Sequence, residues 1–255
     1  MTTWILLRGL TRESGHWGAF AETLRARLAD ARVLTLDLPG AGGLHRLRSP
    51  ADIEATTQHC RQQLAALAVE PPFHLLAMSL GAMAAADWAV RWPGELAGCV
   101  LINTSLRPFN PWYQRLRPAN YAALLGLAFV PQASRPREQT ILRLTSRHLD
   151  AQTGAAVVDA WTALRDARPV SRANALRQLL AAMRYRAPAR APAVPLLVLA
   201  SRRDALVDAR CSQRLARQWH ADFVEHPSAG HDLALDDGPW LADQVARWSQ
   251  RKGMS

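Results

Sequence analysis

The chain has 255 residues, 49% of them apolar, which is enough for one large domain or two small ones with a real core and excludes a disordered protein. No apolar run approaches the ~20 residues that cross a bilayer, the longest being Tyr121–Val130. Hydrophobic sequence starts at Trp4 without a basic n-region or cleavage site, so a cytoplasmic protein with no stable membrane insertion is expected. The net charge of +10 is confined to residues 107–192, where fourteen arginines face four acids (Glu138, Asp150, Asp159 and Asp166).

In chain order, Thr3–Leu7 predicts a buried strand and Glu13–Leu28 contains a helix. Arg32–Leu36 is a second strand, closed by Leu38-Pro39-Gly40. Ser49–Leu67 reads as a helix that Ser49 caps, with Pro50 at its first position. His74–Ala77 is a strand and Ala82–Arg91 a helix, stopped by Trp92-Pro93-Gly94. Cys99–Ile102, Leu196–Leu199 and a short Phe223–Glu225 are further strands, and the last helix is Pro239–Gln250. Strands separated by helices predict right-handed crossovers and a mostly parallel, doubly wound α/β sheet.

Residues 107–192 break this rhythm, because the crossover from Cys99–Ile102 to Leu196–Leu199 needs far fewer residues. The segment has helices of its own, roughly Pro136–His148, Ala151–Arg168 and Ser171–Tyr185, bracketed by prolines at 108, 111, 118, 188, 192 and 195. Leu176, Leu179, Leu180 and Met183 follow the spacing of a buried helical stripe. The organisation expected is a core of residues 1–106 and 193–255 with a mobile helical lid at 107–192. Its arginines read either as a solvated face, opposite the apolar one, or as an attractor for an anionic partner. Lys252 is the sole lysine, so arginine preference also reflects composition, and no aromatic–basic interleaving marks a nucleic-acid module. Three cysteines (Cys60, Cys99 and Cys211) form no even disulfide set and no metal spacing, and no GxGxxG follows the first strand. No metal or cofactor is expected.

The segment that carries chemistry is His74-Leu75-Leu76-Ala77-Met78-Ser79-Leu80-Gly81, a strand running through a serine into an alanine-rich helix. A serine hydroxyl attacks well only when exposed, presented to a base and close to oxyanion donors. A strand–turn–helix elbow supplies this, and it needs small residues where strand and helix nearly touch; Ala77 and Gly81 are such residues.

With these residues the chain resembles the α/β-hydrolase family, in which the triad runs Ser…Asp…His along the chain. The resemblance covers nearly everything outside 107–192. Leu196–Leu199 followed by Ala200-Ser201-Arg202-Arg203-Asp204 looks like the acid strand, and Ser228-Ala229-Gly230-His231-Asp232 matches the Gly-His loop. Thr3–Leu7 ending in Arg8-Gly9-Leu10 resembles the oxyanion strand and loop, although Arg8 stands where a histidine is usual and Ala77 where a glycine is usual. The usual N-terminal hairpin has no sequence to form it, which leaves six parallel strands with Arg32–Leu36 at an edge.

The resemblance implies Ser79 as nucleophile, His231 as base, Asp204 as the acid that orients it, and the backbone N–H groups of Leu10 and Leu80 as oxyanion donors. His226 and His16 rival His231, and Asp208 rivals Asp204, though Asp208 reads better as a helix cap. Gly9, Trp17, Met78, Leu124 and Phe129 are the candidate pocket residues. Asn103 ends its strand where some relatives keep an acid, and an amide cannot act as one. A serine nucleophile excludes relatives that attack with aspartate. The favoured reading is a carboxylesterase acting on a small-molecule ester with a small or medium acyl group. Two others stay open: an esterase or thioesterase for acyl groups on an acidic carrier docked at the arginine-rich lid, and a non-catalytic binding protein of the same fold.

Overall fold

The computed structural model describes residues 2–28 and 30–253. The first half alternates strand and helix: β1 (Thr2–Leu7), α1 (Phe20–Arg27), β2 (Ala31–Leu36), α2 (Ile53–Ala66), β3 (Phe73–Met78), α3 (Leu80–Arg91) and β4 (Leu96–Ile102). Five helices follow before the sheet resumes: α4 (Trp112–Arg115), α5 (Tyr121–Phe129), α6 (Ser134–Thr145), α7 (Ala151–Ala167) and α8 (Arg172–Arg184). The chain ends with β5 (Leu196–Ser201), α9 (Arg210–Trp219), β6 (Asp222–His226), α10 (Leu233–Asp236) and α11 (Gly238–Arg251).

The six strands are all parallel, in the order β2-β1-β3-β4-β5-β6, with β2 and β6 at the edges. Because side chains alternate across a strand, each central strand feeds two cores. Ile5 and Leu7 pack with Leu75, Ala77, Trp88, Leu101 and Val198 on one face. Trp4 and Leu6 pack with Leu76, Val100, Leu197, Leu241 and Trp248 on the other. Both faces are therefore covered, as the unbroken apolar runs require. Helix α3 is buried along almost its whole length, from Leu80 to Ala89, and its alanines let it lie close on the sheet.

The sequence reading needs correction at three places. Ser49 does not cap α2: its hydroxyl donates to Pro39 O at 2.7 Å, and the helix starts at Ile53 with Asp52 accepting from Ala55 N at 2.7 Å. The stripe Leu176, Leu179, Met183 is not buried; these residues are 48%, 36% and 58% exposed, with Leu180 half-buried. Helix α8 instead buries Asn174, Gln178 and Ala181, because the two amides satisfy backbone groups in the loops beneath. Nor do all insert arginines sit on a solvated face. Arg165 is largely buried and, with Arg12, is ion-paired to Glu138, which is 0% exposed. A guanidinium enters the interior where a carboxylate meets it, and here one carboxylate meets two.

The insert is tied down at several points. Arg12 stacks on Trp161 at 4.1 Å, Arg168 pairs with Glu13, and Gln178 accepts from Thr11 N at 2.9 Å. Asp236 accepts from Arg147 N at 2.9 Å and from Gly230 N at 2.6 Å, joining the end of α6 to the loop that carries His231.

Candidate active site

Strand β3 ends at Met78 and α3 begins at Leu80, so Ser79 is the single residue of the junction. It has φ 55° and ψ −115°, in the left-handed half of the map where a side chain is strained. The turn is enforced from both sides: Ser79 N donates to Ile102 O at 2.9 Å, and Thr104 Oγ1 donates to Ser79 O at 3.0 Å. Only glycine fits two residues on, since a Cβ on Gly81 would lie 2.5 Å from Arg8 O and 2.7 Å from Leu7 O. Ser79 Oγ makes no hydrogen bond among the described residues and keeps some exposure, as a nucleophile must.

Asp204 follows the end of β5 and is buried. One carboxylate oxygen accepts from Leu206 N (2.8 Å) and Val207 N (2.9 Å), and the other meets His231 Nδ1 at 2.7 Å. Burial works against the His231 imidazolium, but the Asp204 carboxylate and its hydrogen bond outweigh it, and the pKa ends above the ordinary histidine value. The structure thus joins His231 to Asp204 but forms no hydrogen bond from His231 to Ser79. The rivals are otherwise engaged. His16 lies against Arg12 (2.7 Å), and His226 Nδ1 accepts from Ala229 N (2.8 Å) while its Nε2 faces Asp237. Asp208 accepts from Arg210 N at 3.0 Å at the start of α9, close to the capping role expected of it.

The oxyanion side is built by β1 and its loop. Gly9 sits against the serine: a Cβ there would be 3.1 Å from Ser79 Cβ. Arg12 N closes a turn onto Gly9 O at 3.2 Å, and of the two amides inside that turn Thr11 N is taken by Gln178. Leu80 N is a free amide in the first turn of α3. Neither Leu10 N nor Leu80 N has an acceptor among the described residues. Of the other pocket candidates, Met78 and Trp17 are core residues, Trp17 being 3% exposed against Phe20. Leu124 is half-buried on α5, whereas Phe129 is 63% exposed and points to solvent.

Two residues matter more than the sequence indicated. Arg8 is buried and forms a two-pronged ion pair with Asp232, at 3.1 and 2.5 Å, with its guanidinium 4.8 Å from the Trp17 ring. It therefore ties the oxyanion strand to the residue after His231. Asn103 ties the other side: its amide donates to His231 O (2.8 Å) and Ser201 Oγ (2.9 Å) and accepts from Ser201 N (2.8 Å). A carboxylate partner 224 residues from Arg8 leaves no local signal. Asn103 was visible as a strand-end residue but not as a clamp.

The Asp232 charge also helps hold the His231 pKa up, while Arg8 works against it. An Asp232→Asn change removes the anion's upward pull and leaves the opposing effect of Arg8 in place, so that pKa falls. A general base must be neutral, so the acid limb of the kcat/KM–pH profile is expected to move to lower pH. An unmoved or raised limb counts against this coupling.

The model of the Alpha/beta hydrolase family matches residues 4–244. No curated protein matches the sequence. Among solved structures, a thermophilic esterase from Thermogutta terrifontis is 20% identical, with a TM-score of 0.77 over 99% of this chain and 90% of that one. A hydrolase from Pseudomonas aeruginosa PA01 is 20% identical, with a TM-score of 0.77 over 97% and 89% of the two chains. The enol-lactonase from Burkholderia xenovorans LB400 is 17% identical, with a TM-score of 0.77 over 98% and 91%. At these identities the likeness is one of fold.

Proposed function

The chain belongs to the alpha/beta hydrolase family, and from that premise we propose that it is a serine hydrolase cleaving a carboxylic ester with a small or medium acyl group. The observation that carries the reading is the juncture at Ser79: a strained serine between β3 and α3, close against Gly9, in a chain that also pairs His231 with Asp204. An esterase and an enol-lactonase among the structural neighbours are in keeping with an ester substrate.

In this mechanism Ser79 Oγ attacks the ester carbonyl as His231 Nε2 takes its proton. Asp204 holds Nδ1–H and so fixes the tautomer that leaves Nε2 free, and it stabilises the imidazolium. The carbonyl oxygen gains charge between Leu10 N and Leu80 N, where each donor contributes on the order of 10²–10³ in rate. His231 then protonates the leaving alkoxide. Water, activated by the same histidine, releases the acid from the acyl-serine. The helices of residues 107–192 cover this site as a lid, with Leu124 on its apolar side.

A series of p-nitrophenyl esters of increasing acyl length tests the reading, together with mass spectrometry of protein treated with a fluorophosphonate. Turnover that peaks at short or medium chains, with the adduct on Ser79, is the expected result. Failure to hydrolyse any ester, with no adduct, overturns it.

A further inference from the structure

Helix α8 is inside out. Its buried side holds, besides Ala181, two amides: Asn174 accepts from Ser49 N (2.9 Å) and donates to Leu47 O (2.8 Å), while Gln178 accepts from Thr11 N (2.9 Å) and donates to Pro39 O (3.2 Å). On a helix of 3.6 residues per turn, Leu176, Leu179 and Met183 fall on the opposite side. That is where the exposure lies, and Leu180 adds to the stripe. A row of aliphatic side chains in water on one helix, while its amides are used inside, is the reverse of ordinary patterning.

The surrounding charge says what covers it. Between Asp166 and Asp204 there is no acidic residue, yet there are eight arginines. Arg172 stands at the N-terminal end of the stripe and Arg177 and Arg184 run along one flank. Arg107 reaches the far end, donating to Met183 O at 3.0 Å. Arg172, Arg177, Arg184, Arg186 and Arg190 have no acidic partner among the described residues. A second copy of the same face would set these arginines against one another. The stripe itself, of leucines and a methionine, also lacks the aromatic anchors that usually fill a protein partner's pockets. An aliphatic stripe edged by arginines does match the boundary between acyl chains and anionic headgroups, where leucines enter the apolar layer and guanidinium groups reach back to phosphates. We propose that the exposed face of α8 docks the protein on an anionic lipid surface, lying in its plane. No helix among the described residues is long and apolar enough to cross a membrane, so attachment is peripheral.

Co-sedimentation tests this with vesicles of phosphatidylcholine alone and of phosphatidylcholine mixed equally with phosphatidylglycerol. The protein is expected to bind the mixed vesicles, to ignore the neutral ones, and to be released by salt. Substituting Leu176, Leu179 and Met183 together by serine should weaken partitioning on the order of a hundredfold. The double change Arg172→Glu and Arg184→Glu, at exposed positions, should weaken it at least about tenfold. Both variants should keep the wild-type Tm and the turnover of a soluble short-chain ester. No binding to mixed vesicles, or equal binding to neutral ones, overturns the proposal. So do a concentration-dependent dimer that the serine variant abolishes, binding to polyglutamate in place of vesicles, and loss of soluble-ester turnover in the serine variant. Those three outcomes reassign the stripe to a second copy, to an acidic protein and to the substrate pocket.

Discussion

Ser79→Ala is expected to lower kcat/KM for any ester the protein hydrolyses by at least about 10⁴-fold, because the acyl-enzyme route needs the hydroxyl and the remaining groups act only through it. The thermal midpoint should hardly move. Ser79 Oγ has no hydrogen bond to lose among the described residues, and the bonds that enforce the elbow use the main chain of residue 79, which alanine keeps. Alanine also bears the same positive-φ strain, since both residues carry a Cβ. Activity and stability therefore separate cleanly in this variant. Steady-state kinetics beside a thermal melt check it, and retained activity above a few per cent of wild type removes the serine mechanism.

Glu138→Ala is expected to give the largest loss of stability. The wild-type carboxylate is 0% exposed and meets Arg12 Nη1 at 2.7 Å and Arg165 on the other oxygen. Its removal leaves two cations in a site from which water is excluded, and breaking a buried pair in this way costs about 3–5 kcal/mol. In a chain of this size that corresponds to a fall in Tm of roughly 10 °C. Burial alone would raise the Glu138 pKa, but the two arginines outweigh it and hold it below the usual carboxylate range. A depressed folded-state pKa means that the stabilisation is complete above the unfolded-state value and fades as pH falls through the folded one. The gap between wild type and variant should accordingly narrow in acid. Arg12 also closes the turn onto Gly9 O, so the variant should lose activity as well. Melting curves at neutral and acid pH decide the matter; a Tm within about 2 °C of wild type at neutral pH would show that the ion pair is not what holds the insert to the oxyanion loop.

The parts of this molecule legible from sequence are those written in short stretches. The unbroken apolar runs Trp4–Leu7, Leu75–Met78 and Leu196–Ala200 mark strands covered on both faces, and their alternation with helices requires parallel crossovers. In the parallel order that these elements adopt, β2 lies at one edge of the sheet. The serine at a strand–helix junction, the Gly-His loop and the acid past β5 are likewise local patterns. That His231 and Asp204, 27 residues apart, lie in hydrogen-bond contact is geometry that those patterns could only anticipate by resemblance.

What only the tertiary structure decided is which way each helix of the insert turns and which charges meet. Periodicity shows that α8 has an apolar face but not the direction in which it points. The loops at residues 39–49 offered its amides unpaired backbone groups, and satisfying those outweighed burying three side chains. Composition counted fourteen arginines at 107–192 as one surface. Folding brought Glu138 to Arg12, 126 residues away, and Asp232 to Arg8, 224 residues away. A charge carries no mark of its partner along the chain, because the pairing energy depends on distance and burial, and both exist only once the chain has folded.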